Sequence, residues 1–296
     1  MKITHLRNDA IDRKRWDRQI DLSHNQLTYA YSWYLDVVSP GWEALVSENY
    51  DYIMPLPVKS KYKIPYLVQP ILTQQLGIFS THEINKNTVE EFIKEIPYFS
   101  YEINLNEHNS YSKALIYPNF ILDLNQPYTQ IVSSYSRNTL RNIEKAGKLN
   151  LQIKSNLPLK DFLDFYSAVE KKHSTITRSL LEKLIKTGIS VNALTLYGIY
   201  SAQNNLIAGL CLAQSSNKLI NLLPVSNTEG KAASAMFLLI NKLIQENAEK
   251  EKCFDFEGSR IEGVARFYKG FGATNHPYYI LKRFRPAFLI DKINTK

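Results

Sequence analysis

The chain has 296 residues, 44% of them hydrophobic and 22% charged, with a formal net charge of +8. That apolar content is enough for two modest cores, and it excludes a disordered chain, a collagen-like repeat and a small disulfide scaffold. No apolar run approaches the roughly 18–20 residues that span a bilayer, and Met1-Lys2-Ile3-Thr4-His5 leads into polar residues without a leader-like stretch. The expectation is a cytoplasmic protein with no stable membrane insertion.

The two cysteines, Cys211 and Cys253, sit in apolar, strand-like surroundings and read as buried thiols rather than a disulfide. There is no CxxC pair, and the six histidines form neither HxH nor HExxH, so no metal site is expected. The basic excess, 36 Lys and Arg against 28 Asp and Glu, suits an anionic partner: a phosphorylated cofactor, a nucleotide-linked substrate, RNA or a membrane surface. A solvated lysine-rich surface explains it equally well.

In chain order, the pattern predicts a helix over about 9–20 and then a Tyr/Trp-rich segment over 27–38. Two strand-like runs follow around Glu48-Asn49-Tyr50-Asp51, with a third at 66–79. A helix capped by Asn87 or Thr88 leads to an alternating strand, YFSYEINL. The second half repeats this order. Apolar spacing predicts a helix over Pro158–His173 and a shorter one over 179–186. ALTLYGIY, LIAGLCLA and KLINLLPV form a β-meander, a long helix covers about 231–250, and CFDFEG is a closing strand. Between the halves lie the strand NFILDL and a connecting helix over 130–148. The repeat predicts two similar mixed α/β domains, 1–135 and 136–296, with the junction inside 125–150.

Three constellations are candidates for chemistry. Ser226, Asn227 and Thr228 can cap the long helix, Gly230 permits close backbone approach, and Lys231 adds charge. Such a turn favours an anion, although an ordinary capped helix has the same composition. Next, FDFEGSRIEGVARFYKGFGA concentrates four of the 11 glycines between Gly258 and Gly272. There Glu257 is a candidate base and Tyr268 a candidate acid; capping or salt bridging by Asp255 and Glu257, and packing by Tyr268, are the alternatives. Finally, Arg137, Arg141, Lys145 and Lys148 share one helix face that can hold phosphates, or simply meet solvent.

The run FDFEGS…GVARFYKGFGA resembles the end of the Fem-type aminoacyl transferases and their relatives in the GNAT acyltransferase superfamily. RNTLRNIEKAGKLNLQI resembles that family's basic helix between its two GNAT-like domains, and SNTEGKAASAMFLLI its loop before the long helix. ARFYKGFGA is also similar to a stretch of simpler acetyltransferases whose tyrosine acts as general acid, which supports Tyr268. The resemblance implies an α+β fold of tandem GNAT-like domains, each a mixed, mainly antiparallel sheet flanked by helices. It implies acyl or aminoacyl transfer from acyl-CoA or aminoacyl-tRNA to an amine, on a cell-wall or nucleotide-linked precursor. No tightly bound cofactor is implied. Donor contacts then fall to Val225, Asn227, Gly230, Lys231 and Ala232, and Arg137, Arg141 and Lys145 meet an anionic substrate or tRNA. A backbone N–H near Leu223-Pro224-Val225 serves the oxyanion; Pro224 has none to donate. The turn lacks the QxxGxG/A signature of coenzyme A-dependent enzymes, so a non-catalytic anion- or carbohydrate-binding protein on a degenerate GNAT pair is the competing expectation.

Overall fold

The computed structural model describes residues 1–169 and 176–284. The chain divides into two compact units, one of Met1–Tyr117 joined by the described residues from Pro277 onward, the other Pro118–His276.

In the first unit, β1 (Ile3–Leu6), α1 (Arg13–Leu22) and α2 (Ser32–Val38) precede β2 (Glu43–Ser47), β3 (Tyr52–Leu56), β4 (Val58–Lys61) and β5 (Ile64–Val68). A short β6 (Phe79–Ser80), α3 (Lys86–Lys94), β7 (Tyr101–Leu105) and β8 (Leu115–Tyr117) follow. Asp12 caps α1 by accepting from the Arg15 N–H, and α1 buries Trp16 and Ile20. Trp16 packs at 4.8 Å on Trp42, and its indole N–H donates to the Ala30 carbonyl. The cap of α3 is Asn85, which accepts from Thr88, and not Asn87 or Thr88. The run 66–79 is not one strand. After β5 the chain leaves the ladder through Pro70 and a left-handed Leu72 before β6. The strands form two sheets, β1-β2-β3-β6 and β4-β5-β7-β16-β8, where β16 is Tyr278–Arg283.

The second unit contains β9 (Phe120–Asp123), α4 (Tyr128–Ser133), α5 (Arg137–Gly147), β10 (Gln152–Ser155), α6 (Leu159–Val169) and α7 (Arg178–Ser190). The meander β11 (Leu194–Tyr200), β12 (Leu206–Gln214) and β13 (Lys218–Ser226) follows as expected. Then come α8 (Thr228–Ala232), α9 (Ala235–Asn247), β14 (Cys253–Asp255), α10 (Glu262–Lys269) and β15 (Thr274–Asn275). One sheet runs β10-β11-β12-β13-β14-β9-β15, antiparallel except where β13 meets β14. Leu239, Ile240, Leu243 and Ile244 of α9 join Phe254, Phe256, Tyr268 and Phe271 in its core.

The predicted junction at 125–150 is displaced, because a strand's partner is not written in its own composition. Residues 120–123 pair with β14 and β15, which makes them an interior strand of the second sheet. Conversely, β16 returns to lie between β7 and β8. Two predicted single helices are split. Ser136 caps α5 by accepting from Thr139, which separates it from α4, and a left-handed Ser234 separates α8 from α9. The predicted helix 158–173 is α6 as far as Val169; its remainder, with His173, lies outside the described residues. Neither Cys211 nor Cys253 forms a disulfide among the described residues; Cys211 is fully buried as expected, whereas Cys253 is only half-buried because it stands at the start of β14. No helix among the described residues is long and apolar enough to cross a membrane.

Candidate active site

β13 and β14 run parallel only through Lys218–Cys253, Leu219–Phe254 and Ile220–Asp255; β13 then continues alone on that side from Asn221 to Ser226. The sequence of β14 explains the parting. Asp255 Oδ1 accepts the Glu257 N–H at 2.8 Å, a turn closed by an aspartate on the residue two ahead, and Glu257 is left-handed at φ 62°. The chain therefore leans towards β9. The Phe256 N–H donates to the Phe120 carbonyl at 2.9 Å and the Phe120 N–H to the Glu257 carbonyl at 3.4 Å. On the other flank of β13 the register slips between Cys211 and Ala213, so that Asn221 and Leu222 together face Leu212. A bulge at that point re-aims the side chains of the parted strand.

Tyr268 enters this region from the last turn of α10, packed among Phe120, Phe256 and Phe267. Burial raises its hydroxyl above the ordinary tyrosine range, and the negative charge of Glu257 raises it further. The Asn221 carboxamide beside it pulls the other way, and Asn221 Oδ1 is buried with no hydrogen-bond partner among the described residues. Burial is the larger effect, so Tyr268 holds its proton at neutral pH. Glu257 is only half-buried, whereas Asp255 is 2% exposed and committed to the fold. Asp255 Oδ2 takes Lys218 Nζ and Asn119 Nδ2, each at 3.3 Å. The structure therefore brings Glu257 and Tyr268 within electrostatic reach of each other.

The donor turn follows β13 directly but is less open than expected. Asn227 Oδ1 accepts the Gly230 N–H at 2.8 Å, so this side chain caps α8. Thr228 and Glu229 are then the first-turn positions whose N–H groups have no acceptor within the helix. A Cβ on Gly230 would lie 2.2 Å from the Ile207 carbonyl oxygen. This glycine is therefore required by packing on β12. Val225 is likewise buried in the sheet opposite Gly209. Lys231 and Ala232 are exposed. The glycines after α10 also serve packing: Cβ atoms on Gly270 and Gly272 would meet Thr139 Oγ1 at 2.5 Å and Ser134 Oγ at 2.0 Å.

No family model matches the chain, and no curated protein matches it in sequence. Solved structures do match. FemX aligns over 98% of this chain and 100% of its own, with a TM-score of 0.70 at 13% identity. The C-terminal domain of a candidate lysylphosphatidylglycerol synthetase from Agrobacterium fabrum aligns over 95% and 94%, with a TM-score of 0.59 at 9% identity. A tandem GNAT protein from the clavulanic acid biosynthesis pathway aligns over 95% and 98%, with a TM-score of 0.51 at 9% identity. The chain shares its fold with FemX and with the tandem GNAT protein. At these identities the likeness establishes the Fem-like fold and leaves the chemistry to the residues.

The predicted basic helix is α5. Arg137, Arg141 and Lys145 are exposed, and none has a carboxylate partner among the described residues, while Lys148 pairs with Glu144 at 2.5 Å. The opposite face is anchored: Asn142 Oδ1 accepts the Ser234 hydroxyl at 2.7 Å, two residues beyond Ala232. The helix and the turn are thus neighbours within one unit. Sequence reasoning missed Asn221 and Asn119, both 1% exposed. For Asn221 the signal was available, since a lone carboxamide inside the apolar run LINLLPV must find a partner or leave one atom unpaired.

Proposed function

We propose that the protein is an acyltransferase that moves an acyl or aminoacyl group from an activated carrier, acyl-CoA or aminoacyl-tRNA, to an amine. The observation that carries this reading is the parting of β13 from β14 beside a protonated tyrosine. A parted strand presents backbone donors that no neighbouring strand consumes, as an oxyanion requires; one such donor is worth about 3 kcal/mol.

In this reading the acceptor nitrogen attacks the carbonyl carbon, forming the C–N bond, and the carbonyl electron pair moves to the oxygen. Backbone N–H groups of β13 beyond Asn221 hold that oxyanion. Glu257 removes the proton from the attacking nitrogen. As the intermediate collapses, the C–S or C–O bond to the carrier breaks, and Tyr268 protonates the departing sulfur or oxygen. Each positioned proton transfer contributes typically 10²–10⁴-fold. Lys231 and the basic face of α5 supply cations for the phosphates of the carrier, and the acceptor is a cell-wall or nucleotide-linked amine.

A thermal-shift panel of acyl-CoAs and charged tRNAs, followed by turnover with amine acceptors, tests the reading. A true donor at about 100 times its Kd adds about 2.7 kcal/mol of stability. A donor that binds and is never turned over with any amine would favour the non-catalytic alternative.

A further inference from the structure

The hairpin of β4 and β5 has features that neither the fold nor the transfer chemistry uses. Its register pairs Val58 with Leu67, Lys59 with Tyr66, Ser60 with Pro65 and Lys61 with Ile64. Paired residues share a face and successive pairs alternate, so Val58 and Leu67 face the core of the first unit. Lys59, Tyr66, Lys61 and Ile64 share the other face. The two outer pairs and the Tyr62-Lys63 turn stand clear of the core, with every residue from Lys59 to Pro65 exposed. Tyr62 is 88% and Ile64 59% exposed.

Two-residue hairpin turns with both central residues left-handed favour Asn-Gly. Here Tyr62 and Lys63 occupy those positions, at φ 53° and 64°. The tip therefore carries a large aromatic and a cation at a conformational cost that smaller residues would avoid. No acidic residue occurs from Val58 to Val68. The nearest carboxylate in register is Glu102, opposite Val68, and it is already paired with Lys282 at 2.7 Å. The hairpin is thus a projecting, purely cationic element with an aromatic and an aliphatic side chain at its end.

We propose that this hairpin is a docking element for an anionic phospholipid bilayer. Lysines at 59, 61 and 63 meet the negative headgroups, while Tyr62 and Ile64 enter the boundary between headgroups and acyl chains. Tyrosine suits that boundary because its ring is apolar and its hydroxyl stays wet. Charge complementarity alone would also admit a nucleic acid. An exposed isoleucine beside the lysines adds nothing to a phosphate backbone but gains by leaving water in a bilayer. The hairpin also lacks arginine, asparagine and glutamine, the side chains that read base edges.

The test is co-sedimentation of the full chain with vesicles of phosphatidylcholine, with and without 30% phosphatidylglycerol. Binding is expected only to the anionic vesicles, and it should weaken steeply as salt is raised. One lysine near an anionic leaflet is worth about fivefold in partitioning, so K59Q/K61Q/K63Q should bind about a hundredfold less. Y62S/I64S should lose at least about tenfold while keeping its salt dependence. All five positions are exposed, and unchanged thermal unfolding verifies that both variants fold. Equal partitioning to neutral and anionic vesicles, or unchanged binding by the triple variant, overturns the proposal. So does a triple variant that loses tRNA affinity when the wild type ignores anionic vesicles, an outcome that assigns the hairpin to nucleic acid.

Discussion

The Asn221 carboxamide sits beside the Tyr268 hydroxyl and pulls its pKa down against the upward push of burial, so the parted end of β13 and the last turn of α10 act on the same phenol. Burial and the Glu257 charge outweigh that pull and keep the phenol O–H intact well above neutral pH.

Replacing Tyr268 by Phe keeps the ring among Phe120 and Phe256 and removes only the proton. Turnover with the donor found in the thermal-shift panel should fall at least tenfold, with donor affinity nearly unchanged. Asn221→Leu should lower turnover by a smaller factor, since it removes a polar neighbour of the hydroxyl and leaves the hydroxyl itself in place. Glu257→Gln tests the base in the same assay. Full turnover in both Tyr268→Phe and Glu257→Gln would return these side chains to the scaffold.

At Gly230 stability and binding separate. Gly230→Ala places a methyl group 2.2 Å from the Ile207 carbonyl oxygen, a backbone atom that cannot swing aside. Urea unfolding should show a loss of about 1–3 kcal/mol. Lys231→Glu is exposed and should unfold within about 0.5 kcal/mol of wild type while weakening binding of a phosphorylated donor. A stable Gly230→Ala would mean that α8 moves freely over β12.

The meander was legible in the sequence because each of its strands alternates or runs apolar between turn residues, and those are local signals. Helix ends were less legible. Asn85 rather than Asn87 caps α3, and a left-handed Ser234 breaks a helix whose composition continues unbroken across it. The domain junction was hidden in pairing, since nothing in YYILKR states that it will insert between β7 and β8. Glu257 and Tyr268 were singled out because resemblance and composition coincide there. Asn221 was missed because its role depends on where β14 leaves β13, a long-range event triggered by the turn at Asp255. At Gly230 the composition did not show that the chain also comes close to the Ile207 carbonyl of β12.

Arg137 and Arg141 stand exposed on α5 without carboxylate partners among the described residues. Replacing both by glutamine should leave unfolding unchanged and weaken binding of a tRNA or another polyanionic donor. Each lost phosphate contact lowers the slope of log affinity against log salt by nearly one. Titrations at several salt concentrations decide the matter, and parallel slopes for the two proteins would assign this face to solvent.

Asp255 is a buried carboxylate whose charge is met by Lys218 at 3.3 Å. Lys218→Met removes the cation and leaves the carboxylate in apolar surroundings, which typically costs about 3–5 kcal/mol. Adding Asp255→Asn removes the charge but retains Oδ1 as acceptor for the Glu257 N–H. The double variant should therefore recover at least about 1 kcal/mol of what Lys218→Met loses. Additive losses in urea unfolding would show that the pair is not coupled.

Alkaline pH should destabilise the protein through groups held neutral by burial. Burial raises Tyr135 and Tyr268 above the ordinary tyrosine value, with the Glu257 charge adding to the latter, and raises the Cys211 thiol to about 12. Below the ordinary values these groups are protonated in both the folded and unfolded chain, so they give no pH dependence. As pH rises above about 9 for the thiol and 10 for the phenols, the unfolded chain ionises first and stability falls. Each such group contributes up to about 1.4 kcal/mol per pH unit. Tyr135 isolates the effect, because its hydroxyl is buried without a hydrogen-bond partner among the described residues and its ring packs on Phe271 at 5.3 Å. Tyr135→Phe should therefore cost little at pH 7 and unfold less steeply with pH between 10 and 11. Urea midpoints measured from pH 8 to 11 check this, and equal slopes for variant and wild type would mean that the Tyr135 hydroxyl ionises as readily folded as unfolded.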